Sequence, residues 1–318
     1  MTESERADRS RRGVRILQWV SLVVALAFIG WVLAANRDEL TLAFSLTPAV
    51  FASISVLALL EFVLNGLELK VLTRGFDTEV PHGDAFSIGL MVSVLNYLPL
   101  KAGTVLNGVV LKSRYSLPLS EFASLIAASN VIHLWTAAAL AGGALVLGGE
   151  PRTGVALIGV PTLGVIGLIV WGRRRSAGWL EGHDSRLVRA AGRAVDGLGH
   201  VFATPRLLAA EAAINLAIVL LTAGRMAVAL DAVSARVSFG SALVVSSIGI
   251  IASRLSVVPG GLGFKEGGAA AGAVLARVSA AAGFAASVVE RAVTLVWLLA
   301  LGVPATLHQR RLLASEGR

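Results

Sequence analysis

Apolar residues run in long blocks along this chain, and polar residues gather between them. Blocks at 16–35, 48–70, 120–148, 153–172, 207–230 and 283–305 reach or approach the roughly 20 residues a helix needs to cross a bilayer. The first of them exceeds the about 7–15-residue core of a signal peptide and is read as a span. Two further blocks, 85–115 and 238–277, are interrupted. The first break is Asn96-Tyr97-Leu98-Pro99-Leu100-Lys101-Ala102-Gly103, and the second is Val258-Pro259-Gly260-Gly261-Leu262-Gly263-Phe264-Lys265-Glu266. Proline and glycine interrupt the helical hydrogen-bond ladder. Broken backbone at membrane depth persists only where it is buried in protein or lines a wet cavity. Each block is therefore predicted as two half-helices in a re-entrant hairpin. The expected fold class is an all-α polytopic membrane protein with about six full spans and two such hairpins.

These elements repeat. Each half offers two spans, a broken hairpin and a third span, and the halves start from opposite sides of the membrane. Pro99 and Pro259 lie about half a chain apart. Opposed halves with paired discontinuous helices are a recurring transporter plan, so an inverted repeat is expected. The predicted organisation is a basic cytoplasmic tail over 1–15, a first membrane repeat over 16–148, and a linking span over 149–172. A cytoplasmic loop over 173–206, the rest of the second repeat over 207–305 and a cytoplasmic tail over 306–318 follow. In the loop, Leu180, Leu187, Val188, Val195, Leu198 and Val201 recur at near-helical spacing among arginines. That pattern predicts an amphipathic helix on the inner leaflet. The loop is too short for an independent catalytic domain.

Composition agrees. The 318 residues are 55% hydrophobic and 15% charged, with a mean hydropathy of +0.76. A soluble domain is about 25% charged. The net charge of +8 would suggest nucleic acid in a soluble protein. Here the cations fall mostly between apolar blocks, so topology and anionic headgroups explain them and no nucleic-acid partner is expected. With the N-terminus inside, the cytoplasmic face carries Arg6 to Arg15, Lys70, Arg74, Lys112, Arg114, the arginines of 173–206, Arg310, Arg311 and Arg318. The outer face carries only Arg37, Arg152, Arg236 and Arg277. This positive-inside pattern predicts an inner-membrane protein with both termini cytoplasmic.

Charges within apolar blocks are the candidate chemistry, because each costs roughly 2.5–3.5 kcal/mol at mid-helix. Lys101, Arg254, Lys265 and Arg291 lie near the breaks, and Glu61, Glu68, Glu211, Glu266 and Glu290 lie in apolar blocks. Glu61, Asn65 and Glu68 share one helical face, as do Glu211 and Asn215. Lys265–Glu266 and Glu290–Arg291 are chain neighbours. Neighbours on a helix diverge by about 100°, so their partners are expected on other helices. Arg225 lies toward the end of its block and is expected to snorkel. His133 and Asn130, one turn apart, are expected to pack as a polar pair or to relay protons. Helix N-termini at the breaks, beside Lys101 and Lys265, suit a phosphate. The glycines there equally suit a tight turn and close helix packing.

The absence of cysteine excludes disulfides, thiol catalysis and cysteine-bound metal. No phosphate loop, nucleophile elbow or dinucleotide fingerprint is present. No nucleophile–base pair or metal cluster is visible, so neither an enzyme nor a cofactor is expected.

The second break resembles the P-G-G-x-G-x-[RK]-E signature of the lysylphosphatidylglycerol synthase transmembrane family. Arg291 matches an arginine of the following span. The first break is similar to that family's N…P-x-R-x-G-E motif, with Lys101 for the arginine and Thr104 for the glutamate. Asn130 and His133 stand where an arginine and an aspartate are usual. No stretch resembles the family's cytosolic aminoacyl-transfer domain, so the resemblance implies lipid handling rather than lipid synthesis. The expected function is flippase-like movement of an anionic membrane lipid or a polyprenyl-phosphate-linked sugar between leaflets. The substrate phosphate is expected near Asn96, Lys101, Gly103, Arg254, Gly260, Gly261, Gly263, Lys265 and Arg291. Glu61, Glu68, Glu266, Glu290 and His133 are expected to pair charges or relay protons. The alternative is a membrane scaffold or regulatory subunit of an envelope lipid or glycan synthesis complex. A second copy of the chain or an envelope-synthesis protein is the further partner class.

Overall fold

The computed structural model describes residues 46–98, 102–174, 186–256 and 258–316. The predicted span at 16–35 and tail at 1–15 lie outside the described residues, as do Pro99, Leu100, Lys101 and 175–185. The regular elements are helices: α1 Pro48–Arg74, α2 His82–Leu95, α3 Ala102–Tyr115, α4 Leu119–Leu147, α5 Pro151–Arg174, α6 Arg186–Ala203, α7 Pro205–Ala232, α8 Phe239–Leu255, α9 Phe264–Leu275 and α10 Ala280–Glu316. A single 3₁₀ turn, Pro259–Gly261, lies between α8 and α9. Proline opens α1, α5 and α7, where its missing N–H costs nothing and its fixed φ suits the first helical turn.

Among the described residues, five helices, α1, α4, α5, α7 and α10, are long and apolar enough to cross a membrane. They coincide with five of the six predicted full spans. The protein is an all-α polytopic membrane protein. Val56, Leu60 and Val63 of α1 and Val155, Val160 and Leu163 of α5 are exposed, as side chains facing lipid are. α10 runs 37 residues, about 55 Å at 1.5 Å per residue. It therefore extends past the expected end at 305. Gln309 is fully buried and accepts from Arg114 Nη1 at 2.9 Å, which ties the extension to the end of α3.

The four short helices have 14, 14, 17 and 12 residues, or about 18–26 Å, less than the ≈ 30 Å hydrocarbon core. They form two helix–break–helix units, α2–α3 and α8–α9. The packing around them is reciprocal: α8 lies against α4, α2 lies against α10, and α1 packs on α7. Close approach rests on small residues. A methyl group on Gly268 would fall 2.6 Å from Ala252 Cβ, and one on Gly103 would fall 2.2 Å from Val92 O.

The apolar residues at the end of α6 pack on protein. Val201 and Phe202 are buried in a core shared with α4, α5 and α7. Ser124 Oγ donates to Ala194 O at 2.7 Å, and His200 Nε2 lies 3.0 Å from Gly75 O. This helix docks on the bundle, because protein supplies the apolar surface that the stripe needs.

Candidate functional site

The two breaks meet. Gly260 N donates to Asn96 O at 2.9 Å. Asn96 closes α2 and caps α3: its Oδ1 accepts from Thr104 N at 3.0 Å and Thr104 Oγ1 at 3.2 Å. Gly260, Gly261 and Gly263 have φ of 61°, 64° and 78°, values that glycine adopts without steric cost. A methyl group on Gly260 would also fall 2.7 Å from the Tyr97 ring. Gly260→Ala is therefore expected to combine left-handed strain, about 1–3 kcal/mol, with a clash between the breaks. Gly263 has open space around the same point, so Gly263→Ala carries strain alone. Melting curves in detergent should rank wild type above Gly263→Ala above Gly260→Ala. Equal melting of the two variants would contradict the contact between the breaks.

Beside the breaks lies a group of six charges from four helices. Arg225 Nη2 of α7 pairs with Glu61 Oε2 of α1 at 2.5 Å and with Glu290 Oε1 of α10 at 2.9 Å. Lys265 Nζ of α9 reaches Glu290 Oε2 at 2.9 Å. Arg291 Nη2 of α10 pairs with Glu266 Oε1 of α9 at 2.5 Å and lies 3.5 Å from Gly261 O. The neighbours Lys265–Glu266 and Glu290–Arg291 thus pair crosswise between α9 and α10, as their angular divergence requires. Glu266 Oε2 also accepts from Gly263 N at 2.8 Å, so one N-terminal amide of α9 already serves a carboxylate. Three acids balance three bases. Glu290 is fully buried, and Arg225 and Arg291 side chains are 3% and 4% exposed, whereas Lys265 is 20% exposed. Lys265 is the most exposed cation of this group.

Arg225 is the residue that sequence reasoning placed wrongly. It does not snorkel; it joins two carboxylates, and Thr222 Oγ1 beside it donates to Glu61 Oε2 at 3.1 Å. The signal was charge balance: Glu61, Glu266 and Glu290 outnumber Lys265 and Arg291 by one.

A second polar group draws on α1, α4, α7 and α8. Arg254 Nη1 donates to Asn130 Oδ1 at 3.1 Å, and Nη2 lies 3.3 Å from His133 Nδ1. Asn130 and His133 therefore hold Arg254 instead of packing only on each other. The Asn130 and His133 contacts place Arg254 in this group. Glu68 Oε1 accepts from Ser129 Oγ at 2.6 Å. Asn215 Nδ2 donates to Glu211 Oε1 at 3.0 Å. Glu61 and Glu68 share one face of α1 but serve different groups, two turns or about 10 Å apart. Among the described residues, no three histidine, aspartate or glutamate side chains converge as a metal site requires.

An apolar cavity of ≈ 550 Å³ lies between the ends of α4, α8 and α9, lined by Leu140, Ala144, Leu147, Phe239, Val244 and Leu275. Arg277 and Glu150 pair at its rim, 2.6 Å apart. The arrangement sets a partly exposed lysine beside broken helix ends, and an apolar recess at one end of the bundle.

No curated protein and no solved structure matches the chain. The lysylphosphatidylglycerol synthase transmembrane region matches it over residues 18–302, a stretch that holds both breaks and both charged groups. The chain therefore belongs to the family of the lysylphosphatidylglycerol synthase transmembrane region.

Proposed function

We propose that the protein is a lipid translocase, and that Lys265 receives the headgroup phosphate of an anionic lipid or polyprenyl-phosphate-linked sugar where the two breaks meet. The observation that carries this reading is the conjunction at one place of two broken helices and a balanced cationic network inside apolar helices. Intramembrane charges of this kind mark substrate pathways. Glu290 neutralises Lys265. A substrate phosphate takes that carboxylate's place, and Arg225 keeps Glu290 paired. Family membership supports a transport module and not an enzyme. The acyl chains stay in lipid or in the recess between α4, α8 and α9.

The finer architecture follows. The short α2–α3 and α8–α9 units are re-entrant hairpins entering from opposite faces, and the reciprocal packing of α8 on α4 and α2 on α10 reflects an inverted repeat. The bundle end holding His82, Arg114, α6, Arg206 and Arg310 is basic, whereas the opposite end holds Arg152, Arg236 and Arg277. By the positive-inside rule the first is cytoplasmic and the membrane is the inner one. Single cysteines can be placed without background. In intact cells, Arg152→Cys and Ser234→Cys should react with an impermeant thiol reagent, and His82→Cys and Arg206→Cys should not. Reaction of Arg206→Cys would reverse the orientation.

The function itself is tested by reconstituting the protein with an acyl-labelled fluorescent phosphatidylglycerol. Vesicles containing protein should exchange the label between leaflets faster than empty vesicles. Equal rates, with no phosphorylated lipid copurifying in mild detergent, would favour the scaffold reading.

A further inference from the structure

The second polar group has a charge balance different from the first. Glu68 and Glu211 supply two carboxyl groups, and Arg254 is the guanidinium that faces them. His133 of α4 is the other titratable side chain there, beside Asn215 and Arg254. Asn130 and Ser129 are uncharged. Glu211 and Asn215 are fully buried, and Glu68 is 8% exposed. The Glu68 and Glu211 carboxyl groups face each other, Ser129 donating to the first and Asn215 to the second. Two carboxylates cannot hydrogen-bond to each other, since both only accept. Glu211 Oε2 finds no donor among the described residues, although an unsatisfied buried acceptor is costly. One proton resolves all of this. It gives the carboxyl pair its donor, and it leaves one negative charge against Arg254.

We propose that Glu68 and Glu211 form a proton-binding site that couples lipid movement to a proton gradient, one proton travelling with each monovalent lipid anion. This rests on the translocase reading above. Both acids lie on helices that also reach the lipid site: α1 carries Glu61 and Glu68, and α7 carries Arg225 and Glu211. Loss of the proton sets two carboxylates against each other between α1 and α7, and those helices bear the Glu61–Arg225 pair next to Glu290 and Lys265. An anion bound at Lys265 adds one negative charge, and the proton at Glu68–Glu211 compensates it. The loaded protein therefore carries no more net charge than the empty deprotonated one.

Two measurements test the proposal. Infrared difference spectroscopy across a pH titration should show a protonated-carboxyl C=O stretch in the wild type that disappears in Glu211→Gln. This readout needs no transport. In proteoliposomes under an imposed pH gradient, with membrane potential clamped, fluorescent phosphatidylglycerol should accumulate in the leaflet facing the more alkaline side. At one proton per lipid the shift is about tenfold per pH unit. Glu211→Gln and Glu68→Gln should leave the distribution indifferent to the gradient. A wild type without the carboxyl band, a distribution unmoved by the gradient while exchange proceeds, or a gradient response that survives in Glu211→Gln would overturn the proposal. Absence of any exchange by the wild type would instead overturn the translocase reading, and the infrared band would still report the proton site.

Discussion

Lys265→Gln is expected to abolish leaflet exchange of the anionic lipid while barely moving the melting curve. Lys265 shares Glu290 with Arg225, so its loss leaves no carboxylate of the six-charge group without a cation. Its side chain is also more exposed than those of Arg225 and Arg291. Removing it therefore strands little buried charge. Its value to a lipid phosphate is larger, because truncating one partner of a desolvated charge pair costs roughly 2–5 kcal/mol. Binding weaker by about 30-fold or more follows. Lys265→Arg should retain part of the exchange. The assay is label exchange in proteoliposomes beside a detergent melt. Wild-type exchange by Lys265→Gln, for a lipid that the wild type moves, would remove Lys265 from the site. A collapsed melt would mean that its charge is structural and would put the scaffold reading ahead.

Glu290→Gln is expected to have the opposite signature. Glu290 is fully buried between Lys265 and Arg225. Neutralising it leaves Arg225 with Glu61 alone and takes from Lys265 its carboxylate in the six-charge group. Breaking a buried pair from one side costs about 3–5 kcal/mol, so Glu290→Gln should melt well below Lys265→Gln. The double variant Lys265→Gln, Glu290→Gln removes both members and should recover part of that loss. Contacting residues of this kind couple by about 0.5–3 kcal/mol. Thermal melts of the two singles and the double measure that coupling. Additive losses would show that Lys265 and Glu290 do not interact in the membrane.

The two outcomes separate roles that composition alone leaves merged. Every charge in the six-charge group satisfies another, so pairing by itself does not distinguish structure from function. What distinguishes them is redundancy. Lys265 has Glu290 as its one carboxylate in the group, whereas Glu290 keeps Arg225 when Lys265 is lost.

The sequence by itself determined the membrane class, five of the spans and the breaks, because these are local. A run of about 20 apolar residues satisfies its own backbone hydrogen bonds as a helix in lipid, and proline with glycine ends that helix wherever it stands. It also determined that Lys265–Glu266 and Glu290–Arg291 seek partners elsewhere, since helical geometry turns neighbours apart. The tertiary structure decided which partners they take. α9 and α10 pair crosswise because the α8–α9 unit folds back against α10, and no spacing along the chain contains that fact. Arg225 looked like a surface cation by its distance from the end of α7, but α1 and α10 bury it there with two carboxylates. The apolar stripe of α6 has the same periodicity for a lipid surface or a protein one, and only the position of α4 and α5 selected protein. Glu61 and Glu68 share a helical face, yet α7 presents Arg225 to one and Glu211 to the other. Pairing energy depends on distance in space, and distance in space between helices is set by how they pack.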